Sequence, residues 1–450
     1  MDKLDQYKRM MRLLIAALEI LLETICFAVI WFGVYNERMR HPFENKGNIM
    51  MVGFYAFYLL VFVYLYGGMK YAYFQKGQLI LSQTLGTLIG NAVIYFQIIM
   101  VFGMFPFPTV WPIVIISVVD FLIIWLLNQI SAPVFKKMFP PKKLLLICDL
   151  SAKENLIQKL SGRKDLYEIY KCVSSNEPLY RLKIEVQNCD AMMLYGLEEQ
   201  KRNLLIKYCY ERSIRIYVAP EITDILLRGA DRVHSFDTPF LLLRNYGPSF
   251  EQRIVKRLMD ILLSGILLLL TSPFMLLTAL AIKLEDRGPA LFKQERVTVN
   301  GRKFWIYKFR SMIVDAEKHG AQFSSKNDSR ITKVGRFIRA TRLDELPQLL
   351  NIIKGDMSIV GPRPERQQYI EEFCQETPEF IYRLKVKAGL TGYAQIYGKY
   401  NTTPLDKLKL DLMYIETYSL LLDIRLIFLT LKIMFMKEST EGVEDGQNHA

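Results

Sequence analysis

Two adjacent carboxylates, Asp344 and Glu345, lie in the last third of this 450-residue chain. They follow a series of cations at Arg330, Lys333, Arg336, Arg339 and Arg342. Nearby cations keep carboxylates ionised, and paired acids in such a setting suit chemistry on a phosphorylated or metal-bound substrate. A plainer interpretation is also open, in which the acids compensate a helix dipole and the arginines form a solvated face.

The residues after the acid pair predict a short helix. Pro347 suits a first turn, where its missing N–H is no loss, so the helix is expected to start close to Asp344. Thr341 is an alternative cap that leaves the proline deeper in the helix. The helix is expected to run to Lys354 and stop at Gly355, with its N-terminal amides facing the acids and a bound phosphate.

Further cations precede and follow this helix. Asn300-Gly301 predicts a hairpin between strands around 288–296 and 304–312, the second of which carries Lys308 and Arg310. After the helix, Pro362 and Pro364 hold Arg363 on a stiff turn, where its guanidinium can fork a phosphate or stack on a base. Together these elements predict an anion site around the acids.

The first part of the chain predicts membrane spans. Hydrophobic residues make up 51% of the chain, and apolar stretches at 11–34, 49–67, 79–102 and 109–130 are each long enough to cross a bilayer. Residues 1–138 are therefore interpreted as a four-helix transmembrane region. Lysines and arginines around the spans favour both flanks in the cytoplasm, with one dissenting loop at Arg38, Arg40 and Lys46.

The middle of the chain, 139–248, alternates between strand and helix patterns. Strands are expected at 143–149, 191–195 and 214–218, and helices at 152–160 and 197–213. This alternation predicts a parallel sheet in a Rossmann-like domain. Because no G-x-G-x-x-G follows the first strand, a structural or regulatory role such as self-association is favoured over catalysis.

A fifth apolar run, 261–282, opens the remaining part of the chain, 249–450. An ordinary crossing would export the cationic C-terminal region. Ser272-Pro273 lies in the middle of the run, where proline removes a backbone donor and favours a bend. We therefore expect a re-entrant helix over about 254–284, entering and leaving the membrane on one face.

The net charge bears on the class of partners, and the cysteine content bears on the cellular compartment. The formal charge of +13 is better explained by anionic lipid and phosphate partners than by nucleic acid, for which no aromatic-basic module is visible. The six cysteines are scattered without a C-x-x-C pair, and the four histidines are isolated. A reduced cytoplasmic setting without a zinc site fits best.

With these residues in place, the region from 256 to 441 resembles the bacterial sugar transferases, the monotopic phosphoglycosyl transferases. The full layout resembles their large polyprenyl-phosphate hexose-1-phosphate transferase type. The shared motifs are Lys256-Arg257-x-x-Asp260, Ser272-Pro273, Gly288-Pro289, Lys308-Phe-Arg310-Ser-Met312, Asp328-x-Arg330-x-Thr332-Lys333-x-Gly335-Arg336, Asp344-Glu345-Leu-Pro347-Gln348, Gly355-Asp356-Met-Ser358 and Gly361-Pro362-Arg363-Pro364.

The resemblance implies a UDP-sugar donor, an undecaprenyl phosphate acceptor and Mg²⁺. It implies UDP-glucose or UDP-galactose ahead of N-acetylated sugars, release of UMP, and the first membrane step of capsule, exopolysaccharide or O-antigen synthesis. The location implied is the bacterial cytoplasmic membrane, with the catalytic domain on the cytoplasmic face. The extra spans and the middle domain suggest a homodimer. A non-catalytic membrane scaffold or transporter that binds nucleotide or lipid phosphate is the alternative function.

The resemblance also implies roles for single residues. Asp344 attacks the β-phosphate to form a phosphosugar-enzyme intermediate, and Glu345 holds Mg²⁺ or positions the phosphate. Arg339 is expected to clamp phosphate, while Arg363, between Pro362 and Pro364, faces the uridine end with support from Arg310 and Lys308. Lys399 stands in the substrate region where arginine is frequent in the family. The sequence also departs from the family pattern at Thr298, Arg342 and Ala388.

Overall fold

The computed structural model describes residues 3–39, 41–71, 73–102, 110–149, 153–235, 237–243, 247–314, 316, 328–398 and 402–436. The chain folds into two compact units, Met1–Ala219 and Pro220–Ala450.

Four long apolar helices open the first unit, and one π-helical turn, Trp31–Tyr35, continues the first of them. Their bounds are α1 (Lys3–Ile30), α2 (Asn45–Tyr66), α3 (Lys76–Phe102) and α4 (Val110–Met138). Within the described ranges, five helices are long and apolar enough to cross a membrane: these four and Phe250–Asp286 in the second unit. Their mean hydropathy of 1.7 to 2.5 is the expected property of helices in a lipid environment.

The four-helix region carries polar side chains in its interior. Tyr71 donates a hydrogen bond to the buried carboxyl group of Glu19. Tyr55 donates to Asp120 Oδ2 at 3.1 Å, and Asn91 Nδ2 donates to the same oxygen at 2.9 Å. Polar groups in an apolar helix bundle are stabilised by such partners, so these bonds link α2 and α3 to α4, and α1 to the segment between α2 and α3.

A parallel four-stranded sheet follows in the first unit, with strand order β2-β1-β3-β4. This confirms the parallel sheet that the alternating pattern predicted. The strand β2, which mixes two charged residues with aromatic and apolar ones at a sheet edge, was not predicted, and neither was the short helix α6. The elements are β1 (Lys142–Cys148), α5 (Lys153–Ser161), β2 (Tyr167–Ser174), α6 (Leu179–Val186), β3 (Ala191–Tyr195), α7 (Glu199–Glu211) and β4 (Arg215–Val218).

The second unit begins with α8 (Ile222–Arg228), a hairpin of β5 (Asp231–Ser235) and β6 (Thr238–Leu242), and the long α9 (Phe250–Asp286). A second antiparallel hairpin, β7 (Leu291–Val297) and β8 (Lys303–Phe309), turns at Asn300-Gly301 as predicted, with both turn residues at positive φ. The remaining elements are α10 (Lys333–Ala340), α11 (Gln348–Lys354), β9 (Ser358–Val360), α12 (Gln367–Glu376), β10 (Gly389–Thr391), α13 (Tyr393–Tyr397), α14 (Pro404–Glu416) and α15 (Leu420–Met434).

The N-terminal half of α9 is fastened to the core of the second unit. Asp260 Oδ1 accepts hydrogen bonds from Ser358 Oγ and from the Ile359 amide, each at 3.0 Å. Lys256 Nζ lies 2.5 Å from Asp423 Oδ2 in α15. Because Asp260 and Asp423 are buried, these contacts fix the helix against β9 and α15.

The C-terminal end of α9 is fastened to the same unit. Ile282 packs with Phe309 of β8 and Ile338 of α10. Glu285 Oε1 accepts from the Lys333 amide at 2.8 Å and so caps the start of α10. Between these two anchors most side chains are apolar and exposed, whereas Ser264 and Thr278 are buried.

Pro273 lies inside α9 and has no amide to donate to the carbonyl of Leu269, four residues earlier. The Ser272 hydroxyl donates to that carbonyl at 2.8 Å, and Thr271 Oγ1 donates to Leu267 O at 2.7 Å. The backbone oxygen that the proline leaves without its helical partner is therefore satisfied from within the helix.

Candidate active site

The acid pair lies in a single 3-10 turn, Leu343–Glu345, and not at the start of an α-helix. The prediction that the helix starts close to Asp344 is wrong: α11 starts at Gln348 and has Pro347 as its N-cap. Since Pro347 has no N–H for the Leu343 carbonyl, the Leu346 amide bonds to that carbonyl instead, at 3.2 Å. The helix ends at Gly355, as predicted, with a φ of +93°.

Helix α10 brings Arg339 next to the acids. A Cβ on Gly335 would lie 2.0 Å from the Ser311 carbonyl oxygen, so only glycine allows α10 to pack this closely on the segment after β8. Arg339 follows one turn later, half-buried in the last turn of α10. Its positive charge lowers the pKa of Asp344.

Two predicted anion-binding cations converge on Glu345. Arg363 Nη2 donates to Glu345 Oε1 at 3.1 Å, and Lys308 Nζ lies 3.5 Å from the same oxygen. The Glu345 side chain is 14% exposed, against 39% for that of Arg363. Glu345 is therefore a paired, largely buried anion, and the guanidinium of Arg363 keeps an open side.

The two carboxyl groups have opposite pKa shifts. Burial, together with the negative charge of Glu345, raises the pKa of Asp344 to about 6. Burial also acts to raise the pKa of Glu345, but the positive charges of Arg363, Lys308 and Arg342 outweigh it and lower that pKa to about 2. At neutral pH both groups are ionised, and Asp344 is the more basic oxygen nucleophile of the two.

Lys308 is positioned by a buried asparagine in α11. Asn351 Nδ2 donates to Trp305 O at 2.8 Å, and Asn351 Oδ1 accepts from the Tyr307 amide at 3.0 Å. Asn351 thus pairs with β8 as a neighbouring strand would. The alternation of side chains along β8 then directs Lys308 towards the acid turn.

The turn that carries Arg363 is fastened at three successive carbonyl groups. Pro362 O accepts from the Gly389 amide at 2.8 Å. Arg363 O accepts from Arg383 Nη2 at 2.9 Å, and Pro364 O accepts from Arg296 Nη1 at 3.3 Å. The prediction of a stiff turn rested on the two prolines alone, whereas these three bonds fix its position in the fold.

Arg310, a predicted binding residue, has its own carboxylate partner at the end of α9. Arg310 is buried, pairs with Asp286 at the end of α9 and donates from Nε to Pro289 O at 2.8 Å. It therefore ties α9 to β8 in this structure. Lys399 lies outside the described residues.

The buried charges behind the Arg363 turn were not predicted from the sequence. Glu365 lies 3.7 Å from both Arg296 and Arg383 and pairs with Lys407, and Arg383 lies 2.8 Å from Asp411. Lys407 and Asp411 lie one helical turn apart on α14, but Arg296, Glu365 and Arg383 come from other parts of the chain, at spacings that follow no helical or strand period. No motif in the sequence alone would have joined them.

The acid pair fits a magnesium ion through the chemistry of its donors. Across the part of the chain that the structure describes, no three His, Cys, Asp or Glu side chains group as a metal site. Mg²⁺ commonly takes one or two protein carboxylates and completes its coordination with water and substrate phosphates. Glu345, the predicted metal ligand, would supply one such carboxylate, and water and substrate phosphates would complete the coordination.

Comparison with known proteins gives matches over this same unit. Residues 251–437 match the family described as bacterial sugar transferase. The UDP-N-acetylgalactosamine-undecaprenyl-phosphate N-acetylgalactosaminephosphotransferase of Aeromonas hydrophila is 42% identical over 229 residues, which are 50% of this chain and 53% of that protein. The UDP-glucose:undecaprenyl-phosphate glucose-1-phosphate transferase of Escherichia coli (strain K12) is 41% identical over 209 residues, 45% of this chain and 43% of that protein.

A shorter relative is covered more fully. The UDP-glucose:undecaprenyl-phosphate glucose-1-phosphate transferase of Caulobacter vibrioides (strain ATCC 19089 / CIP 103742 / CB 15) is 39% identical over 200 residues, which are 43% of this chain and 75% of that protein. The chain spans about half the length of the first two relatives.

Proposed function

Because the chain belongs to the bacterial sugar transferase family, we propose that it transfers a sugar 1-phosphate from a UDP-sugar to undecaprenyl phosphate and releases UMP. The three relatives are named as undecaprenyl-phosphate sugar-phosphate transferases. In bacteria such a reaction starts the assembly of a lipid-linked glycan for capsule or exopolysaccharide.

The observation that carries this proposal is that two carboxyl groups in one turn have different surroundings and different pKa values. Asp344, with a pKa of about 6, is ionised at neutral pH and is still basic enough to attack phosphorus. Glu345, with a pKa of about 2, stays a permanent anion between Lys308 and Arg363. One acid is thus suited to form a bond and the other to organise cations.

In the first step an oxygen of Asp344 attacks the β-phosphorus of the UDP-sugar. The bond from that phosphorus to the bridging oxygen breaks, and UMP leaves with the bridging oxygen and its electron pair. Asp344 then carries the sugar phosphate as an acyl phosphate. Arg339 and the open side of Arg363 neutralise charge that gathers on the phosphate oxygens.

In the second step a phosphate oxygen of undecaprenyl phosphate attacks the same phosphorus. The bond to Asp344 breaks, so the carboxylate is regenerated and a lipid diphosphate sugar is released. Glu345 would hold Mg²⁺ together with the donor diphosphate. A bound magnesium ion would shield the negative charge of the two phosphates.

We further propose that α9 is re-entrant and that the second unit lies on the cytoplasmic face of the membrane. Both ends of α9 contact one folded unit, at Asp260 and at Ile282, while Leu269 and Leu276 between them are 76% and 73% exposed. The elements that hold the two ends pack into one unit with many polar and charged groups, which we expect to lie on one face of the hydrocarbon. Contact at both ends therefore supports entry and exit on one side, where the lipid phosphate meets the acid pair.

The donor is tested with a panel of UDP-sugars. We propose UDP-glucose or UDP-galactose, with UDP-N-acetylgalactosamine as the competitor suggested by the Aeromonas relative. Membranes containing the protein are incubated with each labelled donor and undecaprenyl phosphate, and UMP and lipid diphosphate sugar are quantified. The Asp344→Asn variant is expected to lose more than 1,000-fold of turnover, on the order of what removal of a covalent nucleophile costs; retained turnover would show that Asp344 is not the nucleophile.

A further inference from the structure

The backbone of Arg363 rests on a buried guanidinium that belongs to another element. Arg383 lies in the 3-10 helix Pro378–Lys385 and is 2% exposed. Its Nη2 donates to the Arg363 carbonyl at 2.9 Å. The bonded carbonyl belongs to the same residue whose side chain meets Glu345, so a movement of Arg383 is transmitted directly to the acid pair.

Arg383 is itself held by a buried carboxylate on α14. Asp411 Oδ2 lies 2.8 Å from Arg383 Nη2, and both side chains are 1% exposed. A second carboxylate, Glu365, lies 3.7 Å from Arg383 Nη1 and is two residues after Arg363. A charge this deeply buried costs stability unless it is paired, so the pairing fixes where the guanidinium can lie.

We propose that Arg383, anchored by Asp411, is a positioning residue that sets where the Arg363 guanidinium meets Glu345 and the substrate phosphate. This inference rests on the proposed transfer reaction. It adds a chain of contacts from α14 to the acid turn that runs Asp411, Arg383, Arg363 carbonyl, Arg363 guanidinium and Glu345.

The chemistry of arginine explains why no other cation suits this place. The planar guanidinium carries several donors in a fixed geometry, which lets it contact the Arg363 carbonyl and a carboxylate at once. A lysine keeps the charge but has a single ammonium on a flexible stem. Arg383→Lys should therefore keep both the fold and the ion pair with Asp411. It should loosen the Arg363 turn, because the lysine cannot also hold the Arg363 carbonyl in the same geometry.

A double-mutant cycle separates positioning from a general structural role. Arg383→Lys, Arg363→Lys and the double variant are purified as full chains, and kcat and KM are measured with the UDP-sugar that the wild type uses. A misplacement of a catalytic group by about 1 Å can cost on the order of 100-fold, so we expect kcat of Arg383→Lys to fall about 10- to 100-fold with KM within about threefold. If Arg383 acts through Arg363, the double variant should match Arg363→Lys within about twofold.

Arg302→Lys is the matched control, because Arg302 is 57% exposed and pairs with Asp356 away from the acid turn. It should keep kcat and the melting temperature of the wild type. If Arg383→Lys does not fold, Asp411→Asn takes its place in the double-mutant cycle with Arg363→Lys. This substitution keeps the volume of the Asp411 side chain and removes its charge.

Three results overturn the inference. Arg383 does not act through Arg363 if the double variant loses kcat by the product of the two single losses, or if Arg383→Lys leaves kcat unchanged. The proposed transferase activity would stand in both cases. A wild-type protein that releases no UMP from any donor of the panel would overturn the proposed function, and the positioning role with it.

Discussion

The pKa of Asp344 gives the sharpest test of the proposed chemistry. The nucleophile must be ionised, so the rate of the first step should fall as the pH drops through about 6, the pKa of Asp344 in the folded protein. This fall is the acidic limb of the pH–rate profile. The acceptor phosphate titrates in the same range and would obscure the limb. The measurement is therefore the single burst of UMP released from the donor without acceptor, followed from about pH 5 to about pH 8.5, a range that brackets this pKa.

Two substitutions should move this limb in opposite directions. Burial is the larger cause of the raised Asp344 pKa, and the charge of Glu345 is the second. Glu345→Gln removes that second cause and releases two cations, so the limb should move down by about one pH unit. Arg339→Gln removes a charge that lowers the Asp344 pKa, so the limb should move up by about half a pH unit.

Each variant is compared with the wild type by the pH at which its acidic limb lies, and not by its absolute rate. Both variants are expected to lose rate, because Glu345 pairs with two cations and Arg339 is the proposed phosphate clamp. A limb that stays in place in both variants would show that Asp344 is not the titrating group. An upward movement in Glu345→Gln would show that Glu345 acts on the pKa of Asp344 mainly by holding a cation near it, and would refute the explanation by its own negative charge.

Three further predictions concern the membrane helix, the core and the metal. Cysteines placed at the exposed positions Arg253 and Lys283, in a chain whose native cysteines are replaced by serine, should both react with an impermeant thiol reagent from the same face; labelling from opposite faces would exclude the re-entrant helix. Asp260→Ala leaves the Ser358 hydroxyl and the Ile359 amide without their buried acceptor and should cost about 3 kcal/mol, seen as a lower melting temperature in detergent; an unchanged melting temperature would contradict this role. EDTA should stop UMP release and Mg²⁺, but not K⁺, should restore it; release that persists in EDTA would exclude the magnesium requirement.

Much of the secondary structure followed from local patterns. The apolar stretches between residues 11 and 130 became α1 to α4, because hydropathy over about 20 residues is a property of the segment itself. The strand at 191–195 lies where it was predicted, and the hairpin turns at Asn300-Gly301. The edge strand β2 was missed because its exposed, mixed sequence gives a weak pattern.

The sequence by itself determined the acid pair, the cations that could serve it and the stiff turn of Arg363, because residue type and proline chemistry are local properties. Only the tertiary structure decided which cations meet Glu345. Lys308 and Arg363 reach it from β8 and from the turn after β9, whereas Arg310 is used at the end of α9. Similar cations received different partners because each strand and turn directs its side chains according to how the elements pack, and that packing is set by contacts far apart in the chain.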